Sequence, residues 1–397
     1  MMDTLYDLAC LMIYKFFDKK LSIVSSTGTY YKSSTDDFIV NINNPYKFIY
    51  NVVTRGELGF GESYSYNYWN LSKGDIGRFM YYCGINFADE KGDTLACKIK
   101  KYLPFEWFRR YNFKWGNTHN IESAEQIIKE AYDDVDPILY DVMLDKTYKQ
   151  YTSAIYETDD STLDEAQKLK LETLMTKSNL KSNNRILDIG CGWGGLLEYA
   201  TSSRENVEGI GITNSDKMYQ GTLNRANTTK LPFSALKCDF RDIPSDIGQF
   251  DAILNVEMLE AIGVDLFDDF AKVCYKFCKQ DGKVVIQVIN VSHDVPDEKQ
   301  VHDCFTLTYI FPGSQCPHIN QLTRVLERYF EIESIESIGN SYVKTLRDWR
   351  INLMNGKDKL SHIDPSIIRG FEYYLSWCEA GFDIGILDVS QLILSPL

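Results

Sequence analysis

From residue 163 onward the chain alternates two kinds of pattern. Arg185–Ile189, Glu205–Thr213, Phe233–Cys238, Phe250–Val256 and Gly282–Ile289 are short, largely apolar runs, and the last is the most apolar. The stretches between them have helical spacing. Leu163–Lys177 leads in as a helix, with Ser161 as its N-cap and Glu165 nearby. Strand and helix in alternation predict an α/β fold with a parallel, doubly wound sheet. Two later runs, Phe330–Ile338 and Leu387–Leu394, extend it as an antiparallel edge.

Ahead of residue 120 the pattern is different. Asp37–Ile42 and Lys47–Thr54 read as short strands, followed by a glycine-rich turn over Arg55–Glu62 and a crowd of aromatics at Tyr64, Tyr66, Tyr68 and Trp69. The polar stretch Trp115–Glu122 reads as a linker. The expected organisation is a smaller α+β domain over 1–118 and a larger one over 119–397.

Composition narrows the class. With 397 residues, 44% of them hydrophobic and 25% charged, the chain is an ordinary globular one. Forty-two Lys and Arg against 56 Asp and Glu give a net charge of −14, which argues against a general nucleic-acid binder, whose affinity rests on neutralised phosphates. The ten cysteines form no CxxC and the five histidines no HExxH, so free thiols in a reducing, cytoplasmic compartment and no metal site are expected. Cys274 and Cys278, four apart on a helix, read as core. No apolar run reaches the length of a membrane span. Leu5–Phe17 is apolar but interrupted by Asp7, and reads as an amphipathic helix docked on the fold or, alternatively, on a membrane surface.

The first chemical signal follows the first core strand, in Ile186-Leu187-Asp188-Ile189-Gly190-Cys191-Gly192-Trp193-Gly194-Gly195. Gly190 and Gly192 let the backbone turn sharply and expose its amides to a ligand. Gly190, Gly192 and Gly195 also satisfy the dinucleotide fingerprint. However, the second strand ends Gly211-Ile212-Thr213-Asn214, without the acid that holds a nicotinamide ribose. Asp188 stands at the carboxyl end of the first strand, well placed to receive an ammonium group, which S-adenosylmethionine carries and a pyrophosphate does not.

These motifs resemble the cyclopropane-fatty-acid synthase family, which includes the mycolic-acid cyclopropane synthases and belongs to the class I S-adenosylmethionine-dependent methyltransferases. The resemblance runs through LDEAQKLKLETL, RILDIGCGWGGLLEYA, GIGITNS at 209–215, FDAILNVEMLEAIG at 250–263, YIFPG at 309–313 and LDVSQL at 387–392. GELGFGESY at 56–64 resembles the amino-terminal domain of the bacterial synthases. The resemblance implies a seven-stranded Rossmann-like sheet and an S-adenosylmethionine site built from Tyr151, Thr152, Gly190, Gly192, Thr213, Asn214, Asp239 and Phe240, with Asp188 beside the turn. In that reading Thr213 and Asn214 bond the ribose, Asp239 accepts from the adenine amino group and Phe240 packs on the ring. Asp239 reads equally as a cap before Arg241-Asp242.

Members of this family hold a bicarbonate ion among a Cys, a Glu, a His, an Ile backbone group and a Tyr. The corresponding positions here are Ser153, Glu260, Gln287, Ile289 and Tyr342. Ser153, Gln287 and Tyr342 can still donate hydrogen bonds, but a glutamine takes no proton at neutral pH. That leaves Glu260 as the protein's candidate proton acceptor or cation stabiliser, its pKa raised by an apolar enclosure.

Three function classes follow: one-carbon transfer to an unsaturated acyl chain of a lipid, N-methylation of a small amine, and non-catalytic binding of S-adenosylmethionine. The amino-terminal resemblance and the 13% aromatic content favour the lipid. The resemblance also admits a homodimer. Peripheral membrane contact would need Lys98, Lys100, Lys101, Arg109 and Arg110 to form a local basic patch against the overall negative charge.

Overall fold

The computed structural model describes residues 37–88, 135–292 and 304–397, the pieces 21–25 and 30–33, and residues 7 and 10. The linker Trp115–Glu122, the five basic residues at 98–110, and Leu5–Phe17 apart from Asp7 and Cys10 lie outside the described residues. The chain divides into two compact units. One comprises Met1–Thr118, Val301–Ile310 and Ser361–Ile384, and the other His119–Gln300, Phe311–Leu360 and Gly385–Leu397.

In the first unit, β1 (Leu21–Ser25), β2 (Tyr30–Tyr31), β3 (Phe38–Ile42) and β4 (Trp69–Lys73) form a sheet in the order β2-β1-β3-β4. The expected strand at Lys47–Thr54 is instead part of helix α1 (Pro45–Ser65), and a second helix, α2 (Ile76–Ala88), follows β4. Asn44 caps α1 by accepting from the Lys47 amide at 3.2 Å, and Pro45 presets the first helical φ. These start signals override the strand preference of Val52-Val53. The glycine-rich run is likewise no surface turn. The helix continues through it after a kink at Gly56 (φ 58°). A side chain at Gly61 would collide with the Phe305 ring, so glycine there permits close packing. Glu57 accepts from Tyr373 Oη at 2.7 Å and from the Phe305 amide at 2.8 Å. Trp69, fully buried, stacks on Phe60. GELGFGESY thus works as a packing motif that gathers later segments of the chain onto α1.

The second unit is α/β. Its helices are α3 (Pro137–Met143), α4 (Leu163–Lys177), α5 (Gly195–Ser203), α6 (Asp216–Thr229), α7 (Leu259–Ile262), α8 (Phe267–Phe277), α9 (Ile319–Leu326) and α10 (Gly339–Asn355). Its strands are β5 (Arg185–Ile189), β6 (Glu208–Thr213), β7 (Phe233–Lys237), β8 (Phe250–Val256), β9 (Cys278–Val291), β10 (Phe330–Ser337) and β11 (Leu387–Pro396). They form one seven-stranded sheet in the order β10-β11-β9-β8-β5-β6-β7. The five strands from β9 to β7 run parallel, and β11 and β10 add an antiparallel edge. This is the class I methyltransferase architecture.

Because strand side chains alternate, the sheet buries two cores. Leu187, Ile189, Ile253 and Ile286 face α8 and α9, while Ile186, Leu254 and Val285 face α4 and α5. Cys274 and Cys278 lie in the first of these cores. The N-cap of α4 is Thr162 rather than Ser161. Thr162 accepts from the Glu165 amide and Glu165 accepts in return from the Thr162 amide, because the capping box sets its members three positions apart, with two residues between them. Among the described residues no helix is long and apolar enough to cross a membrane, and no cluster of side chains could hold a metal ion.

Candidate active site

The chain leaves β5 toward β6 on one side of the sheet and later returns to β8 on the other. That reversal opens a crevice at the carboxyl ends of β5 and β8, where open α/β sheets bind ligands. The turn after β5 and the residues just after β8 meet there, Gly190 close against Met258.

The turn is built by sequence. Gly190 and Cys191 both donate to the Ile212 carbonyl at the end of β6, at 2.9 and 3.0 Å. Gly192 has φ 52°, and a Cβ there would meet nothing within 4 Å, so the backbone presents an open face. At Gly195 a side chain would collide with the Tyr148 carbonyl, which lets the 148–153 segment lie directly on the start of α5. Asp145 shapes that segment. Its carboxylate accepts from the amides of Tyr148, Lys149 and Gln150 at 2.6, 3.0 and 2.6 Å.

Asp188 projects from β5 and is 2% exposed. Burial pushes its carboxyl up to about 7, and Lys170 on α4 pulls it back. Lys170 is itself buried, donating to Gln150 Oε1 at 2.6 Å and Thr152 Oγ1 at 2.8 Å. Burial lowers its pKa to about 8 against the fields of Glu257, Asp145 and Asp188. One lysine faces three acids, so the crevice favours a cationic ligand.

The remaining residues expected at the cofactor site fall nearby. Tyr151 packs against Tyr140, Phe311 and Trp349. Thr213 accepts from the Ser215 amide at 3.2 Å, and Ser215 caps α6. Asn214 hydrogen-bonds Asp239, whose carboxyl is held below the ordinary range by Arg241 and Asn214 despite burial. Asp239 caps the short turn Phe240–Asp242 and pairs with Arg241 at 2.7 Å. Phe240 packs edge-on to Phe270 in the core.

On the other side of the crevice Ser153, Gln287 and Tyr342 come together on a residue that the sequence reading passed over. Glu257 follows β8 with φ 52°. Its Oε1 accepts from the Ser153 amide at 2.9 Å and from Gln287 Nε2 at 2.7 Å. Its Oε2 accepts from Tyr342 Oη at 3.1 Å. Gln287 and Tyr342, two of the side chains expected to hold an anion, and the Ser153 amide are thus engaged by a carboxylate of the chain itself, while the Ser153 hydroxyl donates to the Ala154 carbonyl at 3.2 Å. Glu260 stands apart from them. One of its oxygens accepts from the Ile289 amide, and the other is buried without a hydrogen-bond partner. Desolvation, and then the Glu257 charge, push Glu260 up to about 8. Desolvation also raises Glu257, opposed by Gln287, Ser153, Lys170 and Tyr342. An acidic residue at the carboxyl end of β8, beside the switch point, was the available signal for Glu257.

A hydrogen-bonded file fixes the Gln287 amide. Lys177 Nζ donates to Gln391 Oε1 at 2.7 Å, Gln391 Nε2 donates to Gln287 Oε1 at 2.8 Å, and Gln287 turns its NH2 toward Glu257. Gln391 and Gln287 sit opposite each other across β11 and β9. An aromatic wall adjoins the cluster, with the Tyr342 ring edge-on to Trp349 and Trp349 against Tyr151.

Comparison with known proteins gives a consistent picture. The sequence profile of the mycolic acid cyclopropane synthetase family matches residues 119–392. The cyclopropane-fatty-acyl-phospholipid synthase of Escherichia coli (strain K12) is 27% identical over 360 residues, 90% of this chain and 87% of that protein. The cyclopropane synthase MmaA2 from Mycobacterium tuberculosis has a TM-score of 0.62 at 25% identity, covering 68% of this chain and 97% of its own. The mycolic acid cyclopropane synthase CmaA1 complexed with SAH and CTAB shares the fold, at 24% identity and a TM-score of 0.62, over 68% of this chain and 97% of its own.

Proposed function

Since the chain belongs to the mycolic acid cyclopropane synthetase family, we propose that its crevice transfers a one-carbon unit to an unsaturated acyl chain of a phospholipid. The protein is an S-adenosylmethionine-dependent enzyme. The observation that carries the acceptor reading is the pairing, at one switch point, of an open glycine turn beside a buried acid with a carboxylate cluster against an aromatic wall.

S-adenosylmethionine supplies an electrophilic methyl group when bound. Asp188 and the amides after β5 suit its charged methionine end, and Thr152 lies beside them through Lys170. The same reading assigns the ribose to Thr213 and Asn214, at the carboxyl end of β6. This reading assigns the adenine to Asp239, which Arg241 orients, and to Phe240.

The acceptor side explains the chemistry. An alkene that gains a methyl group becomes a carbocation. An aromatic ring face turned to a cation stabilises it by about 0.5–2 kcal/mol, and the wall of Tyr151, Trp349 and Tyr342 adjoins the carboxylate cluster. The Glu257 carboxylate at the end of β8 adds opposite charge and a destination for a proton. An acyl chain offers no hydrogen bonds, and each methylene moved out of water contributes about 0.8 kcal/mol, so an apolar wall is sufficient to hold it.

Expression in a bacterium lacking its own synthase tests this reading. Part of the phospholipid acyl mass profile shifts upward by one methylene. An unchanged profile, with turnover of an added amine by the purified protein, would overturn it.

A further inference from the structure

We propose that the carboxylate of Glu257 is the built-in anion and proton acceptor of this site, so that the enzyme works without bicarbonate. The inference rests on the acyl-transfer reading above.

The first support is geometric. Ser153, Gln287 and Tyr342 approach from three separate parts of the chain, the 148–153 segment, β9 and α10. Their donors all end on the two oxygens of Glu257. An added anion would have to displace a covalently tethered carboxylate from all three. Tethering removes the loss of translational freedom that a dissolved ion suffers on binding.

The second support is the backbone. Glu257 holds φ 52°, a region costing a side-chain-bearing residue about 1–2 kcal/mol. Its amide donates to the Gln287 carbonyl at 2.7 Å, which fixes this conformation. The strained turn is what directs the side chain back across the ends of β8 and β9.

The third support is the location of charge. Glu257 accepts from three donors and feels the field of Lys170, whereas Glu260 accepts from the Ile289 amide and its second oxygen is buried without a hydrogen-bond partner. The three donors favour the charged form of Glu257, while desolvation and the Glu257 charge favour a proton on Glu260. The Lys177-Gln391-Gln287 file ends on the same carboxylate and turns a donor toward it.

The step balances as follows. The acyl π pair forms a bond to the methyl carbon as the methyl–sulfur bond breaks, leaving a thioether and a carbocation on the neighbouring acyl carbon. A C–H bond of the new methyl then breaks. Its electron pair closes the three-membered ring, and its proton passes to Oε2 of Glu257, which accepts a single hydrogen bond and keeps a lone pair. Glu257 later returns the proton to water.

The experiment uses the full chain, stripped of dissolved carbonate, with S-adenosylmethionine and unsaturated phospholipid vesicles. Turnover is measured with and without bicarbonate, and binding of isotope-labelled bicarbonate is followed separately by NMR. The wild type is expected to turn over equally in both conditions and to bind no label. Glu257→Gly, which relieves the backbone and empties the pocket, is expected to lose roughly 10²–10⁴-fold in turnover, bind the label, and recover activity with bicarbonate. Glu257→Gln, which keeps the pocket filled, is expected to be inactive and not rescued. A wild type that needs or binds bicarbonate, or an active Glu257→Gln, overturns the inference while leaving the acyl-transfer reading intact. If no form makes lipid product, yet Glu257→Gly alone binds the label, the acyl-transfer reading fails and the tethered anion stands.

Discussion

Replacing Asp188 by Asn should move two properties in opposite directions. The Asp188 carboxyl is buried, and desolvation lifts it from an ordinary 3.8 to about 7, with Lys170 opposing. The folded protein thus holds this proton more tightly than the unfolded chain does. Stability contributed by the group falls as pH rises from about 4 to about 7, and the full cost, up to about 4 kcal/mol, is present above that. Asparagine has the same shape and no charge, so it removes this cost. The unliganded variant should melt higher than wild type near pH ~8, and the gap should narrow toward pH ~4. Ligand binding should suffer instead. A hydrogen bond between a buried carboxylate and an ammonium contributes about 1.5–3 kcal/mol, so the dissociation constant for S-adenosylmethionine should rise roughly 10- to 150-fold. Thermal melts across pH, with and without S-adenosylmethionine, measure both effects. A variant that melts lower near pH ~8 and keeps the full ligand-induced shift would refute the reasoning.

Other perturbations separate structure from chemistry. Thr162→Ala removes the capping box of α4 and should cost about 1 kcal/mol, read as a lower urea midpoint with unchanged slope. Gln391→Leu frees the Gln287 amide from its file and should lower turnover more than it weakens S-adenosylmethionine binding, which steady-state kinetics and calorimetry distinguish. Gly195→Ala forces a methyl group into the Tyr148 carbonyl and should displace the 148–153 segment, so that S-adenosylmethionine no longer raises the melting temperature.

The sheet was readable because its strands are buried on both faces and therefore appear as continuous apolar runs. Arg185–Ile189 and Phe250–Val256 stand where their apolar residues place them. Lys47–Thr54 misled because Val52-Val53 and neighbouring aromatics favour strands, while the decisive signal was local, in Asn44-Pro45. The glycine turn and Asp188 announce themselves by spacing. The anion cluster does not, because its members come from four distant places and meet only in the fold. Glu257 in particular looks like an ordinary residue after a strand until Ser153, Gln287 and Tyr342 are seen converging on it. Asp239 illustrates the opposite limit. Its sequence allowed a cap or an adenine contact, and the fold shows the cap directly.

The most direct test of the account is made with purified protein, unsaturated phospholipid vesicles and S-adenosylmethionine carrying a fully deuterated methyl group. Mass spectrometry of the acyl chains should show a gained carbon that has lost one deuterium, the one removed when the ring closes. Acyl chains with no gained carbon would contradict the account.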